Sequence, residues 1–261
     1  MKNNINSLLR LKRGGETVDD LLGGRLRIFQ KEKGYRFSID SLLLAHFVYL
    51  KRDDHVIDLG TGSSIISLIL AYRFESVKVV GVEIQTQLVD MARRSVKLNG
   101  LQSKIEVRQG NVKQIKDFLD PQSFDVAVFN PPYRKLNSGR INPHEEKAIA
   151  RHEITGSLAE FLTSAKYLLK SLGSTFIVYP ATRGAELFSQ MRNSAIEPKR
   201  IRMVHSNNLS SAEFILVEGV KNGGEELNVM PPLFIYGNNG KYTDEMEIIL
   251  KEISHPPEIC D

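Results

Sequence analysis

Two clusters in this 261-residue chain combine residue types that suit chemistry. The first is Asp58-Leu59-Gly60-Thr61-Gly62-Ser63-Ser64, whose glycines let the backbone turn sharply and come close to a ligand. Glu83 stands about twenty residues further on, where a carboxylate accepts both hydroxyls of a ribose. Together they specify an adenosine-type cofactor. A dinucleotide-binding loop asks for a third glycine three positions after the second, and Ile65 stands there. Asp58 narrows the class further, because a carboxylate at the start of the loop repels a pyrophosphate and favours the ammonium and sulfonium charges of S-adenosylmethionine. The competing reading is that Asp58 only orders its own turn.

The second cluster is Asn130-Pro131-Pro132-Tyr133. An amide or exocyclic ring amine is a poor nucleophile, because its lone pair is delocalised. Acceptors from the Asn130 side chain and from a carbonyl of the Pro-Pro segment take both of its N–H bonds, localise the lone pair and aim it at a methyl donor. The prolines fix φ at about −65° and carry no N–H, so the segment presents acceptors only. Tyr133 offers a flat face to an unstacked base. Alternatively, these four residues simply end a strand, with Tyr133 a wedge in the core.

Both clusters need elements to hold them. From His55 onward, short β-branched runs alternate with helical patterns, the signature of βαβ units and a doubly wound parallel sheet. Strands are expected over 56–59, 77–83, 105–108, 124–129 and 174–179, with helices over 65–72, 85–98, 158–169 and 185–192. Segments 201–205 and 213–220 read as an antiparallel edge. The glycine loop follows the first strand and Asn130 the fourth. The sheet order reverses between those two, so both clusters are expected to face one crevice beyond the carboxyl ends. Upstream, 25–29 with 35–37 reads as a hairpin and 40–50 as a helix. The expected division is an N-terminal extension over 1–54, a catalytic α/β domain over 55–220 and an acidic tail over 221–261. Loop 134–155, rich in charge, is too long for a plain connection.

These motifs resemble the class I S-adenosylmethionine-dependent methyltransferases, and among them the amino-methyltransferases with an Asn-Pro-Pro-Tyr segment. The resemblance covers residues 55–220. It implies a Rossmann-like α/β fold, with a seven-stranded, mostly parallel sheet in the order 3-2-1-4-5-7-6. It also implies S-adenosylmethionine as cofactor, with Asp58, Gly60 and Gly62 at the methionine part, Glu83 at the ribose, Asn111 and Val112 at the adenine, and Thr61 and Ile84 beside them. Asn130, Pro131, Pro132 and Tyr133 would hold the target amine, Asn130 also bordering the cofactor. Ser64 stands where glycine is common, and Asn111 where Asp usually accepts the adenine amino group. Serine is small and Asn offers its carbonyl oxygen, so altered contacts are expected in place of lost ones. The stretch Gly34-Tyr35-Arg36-Phe37-Ser38-Ile39-Asp40-Ser41-Leu42-Leu43-Leu44-Ala45 is similar to the bacterial tRNA1(Val) adenine-37 N6-methyltransferases, as is Ala150-Arg151-His152-Glu153. That similarity implies Arg36, Phe37 and Asp40 over the cofactor site and the basic loop on RNA. Ser38 and Asp40 read equally as an ordinary helix N-terminus, and His152 as an exposed loop residue without a metal-ligand partner.

Composition bounds these readings. With 41% apolar and 25% charged residues the chain has the usage of an ordinary globular domain, which excludes disordered, collagen-like and disulfide-scaffold classes. Cys260 is the single cysteine, which excludes an internal disulfide and a Cys-rich zinc site; no metal is expected. No run approaches the roughly 20 apolar residues of a membrane span, and the first residues lack a signal-peptide core, so a cytoplasmic protein away from membranes is expected. Residues 1–36 hold nine Lys/Arg against four Asp/Glu, and residues 221–261 hold three against eight. The basic stretches suit a polyanionic partner, or else form a solvated face. The expected substrate is an adenine N6 in structured RNA, foremost a tRNA anticodon loop, where a base unstacks more cheaply than in a duplex. The alternatives are a protein glutamine N5, as in release-factor methyltransferases, and a non-catalytic module that binds cofactor or RNA.

Overall fold

The computed structural model describes residues 11–33, 39–132 and 156–252. A hairpin of β1 (Glu16–Leu21) and β2 (Leu26–Lys31) comes first, followed by helix α1 (Ile39–Phe47). Then β3 (His55–Leu59), α2 (Ile65–Arg73), β4 (Lys78–Glu83), α3 (Thr86–Leu98), β5 (Ile105–Gln109) and β6 (Phe124–Phe129) alternate. They are followed by α4 (Leu158–Leu168), β7 (Leu169–Pro180), α5 (Gly184–Asn193), β8 (Ile196–His205) and β9 (Ala212–Lys221). The described chain ends with β10 (Asn228–Val229), β11 (Leu233–Phe234) and α6 (Asp244–Glu252).

The main sheet runs β5-β4-β3-β6-β7-β9-β8, with β9 antiparallel to both neighbours and the other pairs parallel. Side chains of β3, β6 and β7 alternate between two apolar layers, as the period of a strand requires. Val56, Val126, Val128, Phe176 and Val178 pack with α1, α2 and α3. Ile57, Leu59, Ala127, Phe129 and Ile177 pack with α4 and α5. Burial on both faces explains why these strands read as nearly unbroken apolar runs.

Three expectations are corrected. The sheet has nine strands, not seven, because β10 and β11 pair parallel to the outer edge of β8. The acidic segment after Lys221 is, through its described part to Glu252, joined to the body, since Leu233, Ile235, Met246 and Ile249 are buried and tie it to the core. The hairpin joins Glu16–Leu21 to Leu26–Lys31 in the register Leu21↔Leu26, so 25–29 finds its partner in the segment before it. Leu22, Gly23 and Gly24, at φ of 58°, 62° and 84°, supply the left-handed turn that sets this register. Residues 35–37, with Arg36 and Phe37, lie outside the described residues.

Two arginines fix the position of α1. Nη1 of Arg73 donates to the carbonyls of Ala45 (2.5 Å) and His46 (3.2 Å), and Nη2 of Arg200 donates to that of Phe47 (3.1 Å). Both satisfy carbonyls that the last helical turn leaves without partners, and both put positive charge at the negative end of the helix dipole. The guanidinium of Arg200 also lies 4.2 Å from the Phe47 ring centroid.

Candidate functional site

β3 and β6 are neighbours in the register Leu59↔Phe129, so Gly60 and Asn130 leave the sheet side by side at its carboxyl edge. This is the expected adjacency. Gly60 and Gly62 have φ of 70° and 58°, the left-handed region that glycine enters without steric cost. Ser64 adopts the same region, at 69°. The backbone N–H groups of Gly60 and Thr61 both donate to the Val82 carbonyl, at 2.8 and 3.0 Å, which ties the loop to β4. Gly81 makes room for this, because a Cβ there would stand 2.9 Å from Thr61 Cγ2.

Asp58 is 1% exposed. Its Oδ2 accepts from Thr61 Oγ1 and from Ser67 Oγ, each at 2.6 Å. Burial pushes its carboxyl up to about 6, against the lowering effect of those hydrogen bonds. Asp58 thus does order its own turn, and the Thr61 hydroxyl points inward to it. Glu83, 5% exposed at the end of β4, accepts Gly62 N–H on Oε2 at 3.1 Å and Gln85 N–H on Oε1 at 2.8 Å. Burial raises it above the usual carboxylate range, and the nearby charge of Asp58 adds to the shift. Ile84 is half-buried beside it.

Asn111 Oδ1 accepts from Lys113 N–H at 3.0 Å, capping the short 3-10 turn Val112–Asp117. One lone pair of the oxygen expected to meet an adenine amino group is therefore used for the cap, leaving the second. Val112 is buried, and its carbonyl accepts from Ser164 Oγ of α4 at 2.8 Å.

Asn130 is half-buried, and its Nδ2 donates to Ser41 Oγ of α1 at 3.1 Å. That bond fixes the plane of the amide and so the direction of its oxygen. Asp40, buried in the same turn, accepts Ser41 N–H on Oδ1 at 2.7 Å. Pro131 is buried and Pro132 half-buried; Tyr133 and loop 134–155 lie outside the described residues. Two contributors escaped the sequence reading. Ser41 lies within the stretch 34–45 that carries the family resemblance, but nothing local in the sequence gives it a role. Phe161 of α4 was read merely as part of an amphipathic helix. Its ring lies 3.2 Å from where a Gly60 Cβ would stand and 5.6 Å, centroid to centroid, from Phe129, flooring the glycine loop.

Neither Asp58 nor Glu83 has a lysine or arginine partner among the described residues. Two buried carboxylates without a cation, beside a loop that lets backbone approach closely, fit a cofactor carrying positive charge. Among the described residues no group of three or more His, Cys, Asp or Glu stands together as a metal site.

The profile of a family described as a methyltransferase domain matches residues 50–228, more than half of the chain. The chain belongs to the methyltransferase-domain family. Its cofactor is S-adenosylmethionine. The methyltransferase is 24% identical over 221 residues to a tRNA1(Val) (adenine(37)-N6)-methyltransferase of Vibrio campbellii, covering 85% of this chain and 89% of that one. It is 31% identical over 135 residues to a protein of the same name from Porphyromonas gingivalis, covering 51% and 52%. Among solved structures it resembles a predicted O-methyltransferase from Agrobacterium tumefaciens, with a TM-score of 0.68 at 21% identity over 83% of this chain and 97% of that one. At that identity the likeness speaks for the fold alone. No helix of the methyltransferase, among the described residues, is long and apolar enough to cross a membrane.

Proposed function

We propose that the methyltransferase methylates the N6 of an adenine in tRNA, adenine 37 of the anticodon loop. The observation that carries this reading is the Asn130–Ser41 hydrogen bond beside Gly60, which pre-orients an amide acceptor next to the cofactor loop. The names of the relatives support the substrate. The β1–β2 hairpin counts against the protein-glutamine alternative, for which a helical N-terminal domain is expected.

The cofactor supplies an electrophilic methyl group on a sulfonium. Gly60 and Gly62 let the backbone close on its methionine part, while Asp58 places negative charge below and shapes the turn through Thr61. Glu83 accepts from the ribose hydroxyls with the lone pairs its two backbone bonds leave over. Ile84 and Val112 would flank the adenine, and Asn111 would accept from its amino group. Asp40 holds Ser41, which holds Asn130; the family resemblance would add Arg36 and Phe37 to the cofactor contacts. At the target, Asn130 Oδ1 and a carbonyl of the Pro131–Pro132 segment take the two N6 hydrogens, localising the lone pair, and Tyr133 stacks on the flipped base. Bound there, the cofactor would supply its methyl group, the C–S bond breaking as the C–N bond forms, and the nitrogen would shed its proton to water, so no strong base is required.

The test incubates the protein with methyl-labelled S-adenosylmethionine and tRNA from cells lacking it, then identifies the digested product by mass spectrometry. Label in N6-methyladenosine is expected, and Asn130→Ala should lower kcat by about 100-fold, the usual penalty for a misplaced reacting group. Label in protein glutamine would overturn the substrate, and undiminished turnover by Asn130→Ala the mechanism.

A further inference from the structure

The carboxyl edge of the sheet carries a second concavity, three strands from β6. The loop after β8 and the loop after β11 border an open hollow of about 430 Å³ lined by Asn207, Asn208, Leu209, Tyr236 and Asn238, a volume within the range of small-ligand sites. Its wall is built in advance. Tyr236 and Tyr242 face each other across a bridge, their rings stacked at 5.2 Å with 12° between planes, and each remains 39–41% exposed. Gly237 N–H donates to the Lys241 carbonyl at 2.8 Å and Gly240 N–H to that of Gly237 at 3.0 Å, closing the loop beneath them. Opposite stands Leu209, 92% exposed.

The lining decides what fits. It contains no lysine or arginine, so a phosphate finds no counter-charge. Asn207 Oδ1 accepts Leu209 N–H at 2.9 Å, whereas the amides of Asn208 and Asn238 are exposed and make no hydrogen bond among the described residues. A flat aromatic platform with neutral donors and acceptors at its rim matches the face and edge of an unpaired nucleobase. The registers Phe129↔Ile177, Ile177↔Val217 and Ile201↔Val217 set Asn130 and Arg202 at one level, with His205 three residues beyond. At the usual strand spacing and rise, the cavity lies about 20 Å from Asn130 on the same edge.

We propose that this cavity binds a second, unpaired base of the RNA substrate, stacked on Tyr236 while the target base occupies the Asn130 site. This rests on the RNA reading given above. The test measures the Kd of unmodified tRNA, its KM and kcat, and the Kd of S-adenosylmethionine for the full chain, for Tyr236→Ala, Tyr236→Phe and Asn208→Ala. Tyr236→Ala should weaken tRNA binding and raise KM by about tenfold, the scale of one lost base stack, with kcat at saturating tRNA and cofactor binding unchanged. Tyr236→Phe keeps the platform and should stay within about twofold of the parent, and Asn208→Ala, at an exposed position, should lose about threefold. Parental tRNA binding by Tyr236→Ala, with tRNA still methylated by the parent, overturns this inference alone. A parent that neither binds nor methylates tRNA overturns the substrate reading, and this inference with it.

Discussion

Asp58 keeps its carboxyl where almost no water reaches it. Its folded value of about 6 lies above the ordinary 3.8, so its contribution to stability is fully present below about pH 4 and is lost as pH rises through 6. Above pH 6 the protein without cofactor carries a buried negative charge at a cost of about 3 kcal/mol, which the proposed cationic cofactor would offset. Two outcomes are expected. S-adenosylmethionine binding, followed by calorimetry, should weaken by close to tenfold per pH unit below 6. In Asp58→Asn that dependence should shrink to what Glu83 leaves, while thermal unfolding of the cofactor-free protein above pH 6 should move upward. An affinity flat from pH 5 to 8 in the parent would exclude this role. Asp58, Gly60, Gly62 and Glu83 were legible in the sequence because a tight turn advertises itself locally. Ser41 was not, because its partner Asn130 is 89 residues away and only the folded sheet brings them together.

Among the elements, β4 contributes by what one of its residues lacks. Gly81 lies opposite Asp58 in the β3–β4 register, and a methyl group there would press on Thr61 Cγ2 at 2.9 Å and Oγ1 at 3.0 Å. Gly81→Ala should therefore swing Thr61 off Asp58, lowering stability by about 2 kcal/mol and cofactor affinity by at least tenfold. Calorimetry and thermal unfolding read both; an unchanged cofactor Kd would show that the Thr61 bond does not shape the loop. The central strands announced themselves through β-branched runs between helical patterns. β1 did not, because Asp19 and Asp20 interrupt its apolar pattern. β10 and β11 did not either, because two-residue strands carry no periodicity and Pro231-Pro232 separates them.

At the scale of the molecule, the last described segment belongs to the core although its charge reads as a solvated tail. Burying Leu233, Ile235, Met246 and Ile249 is worth about 1.5–3 kcal/mol each, together comparable with the whole stability of a typical domain. A chain ending at Asn222 is accordingly expected to lose its cooperative thermal transition, as followed by circular dichroism; a sharp transition within a few degrees of the parent would show the segment to be dispensable. The arginine caps of α1 reach further still. Arg200 closes a helix that ends 153 residues before it. On a ribosome adding about 5–20 residues per second, the helix that carries Ser41 waits roughly 8–30 s for that partner. The edge proposed for methyl transfer thus stays incomplete until residue 200 has been made, and a nascent chain has no finished groove there before then.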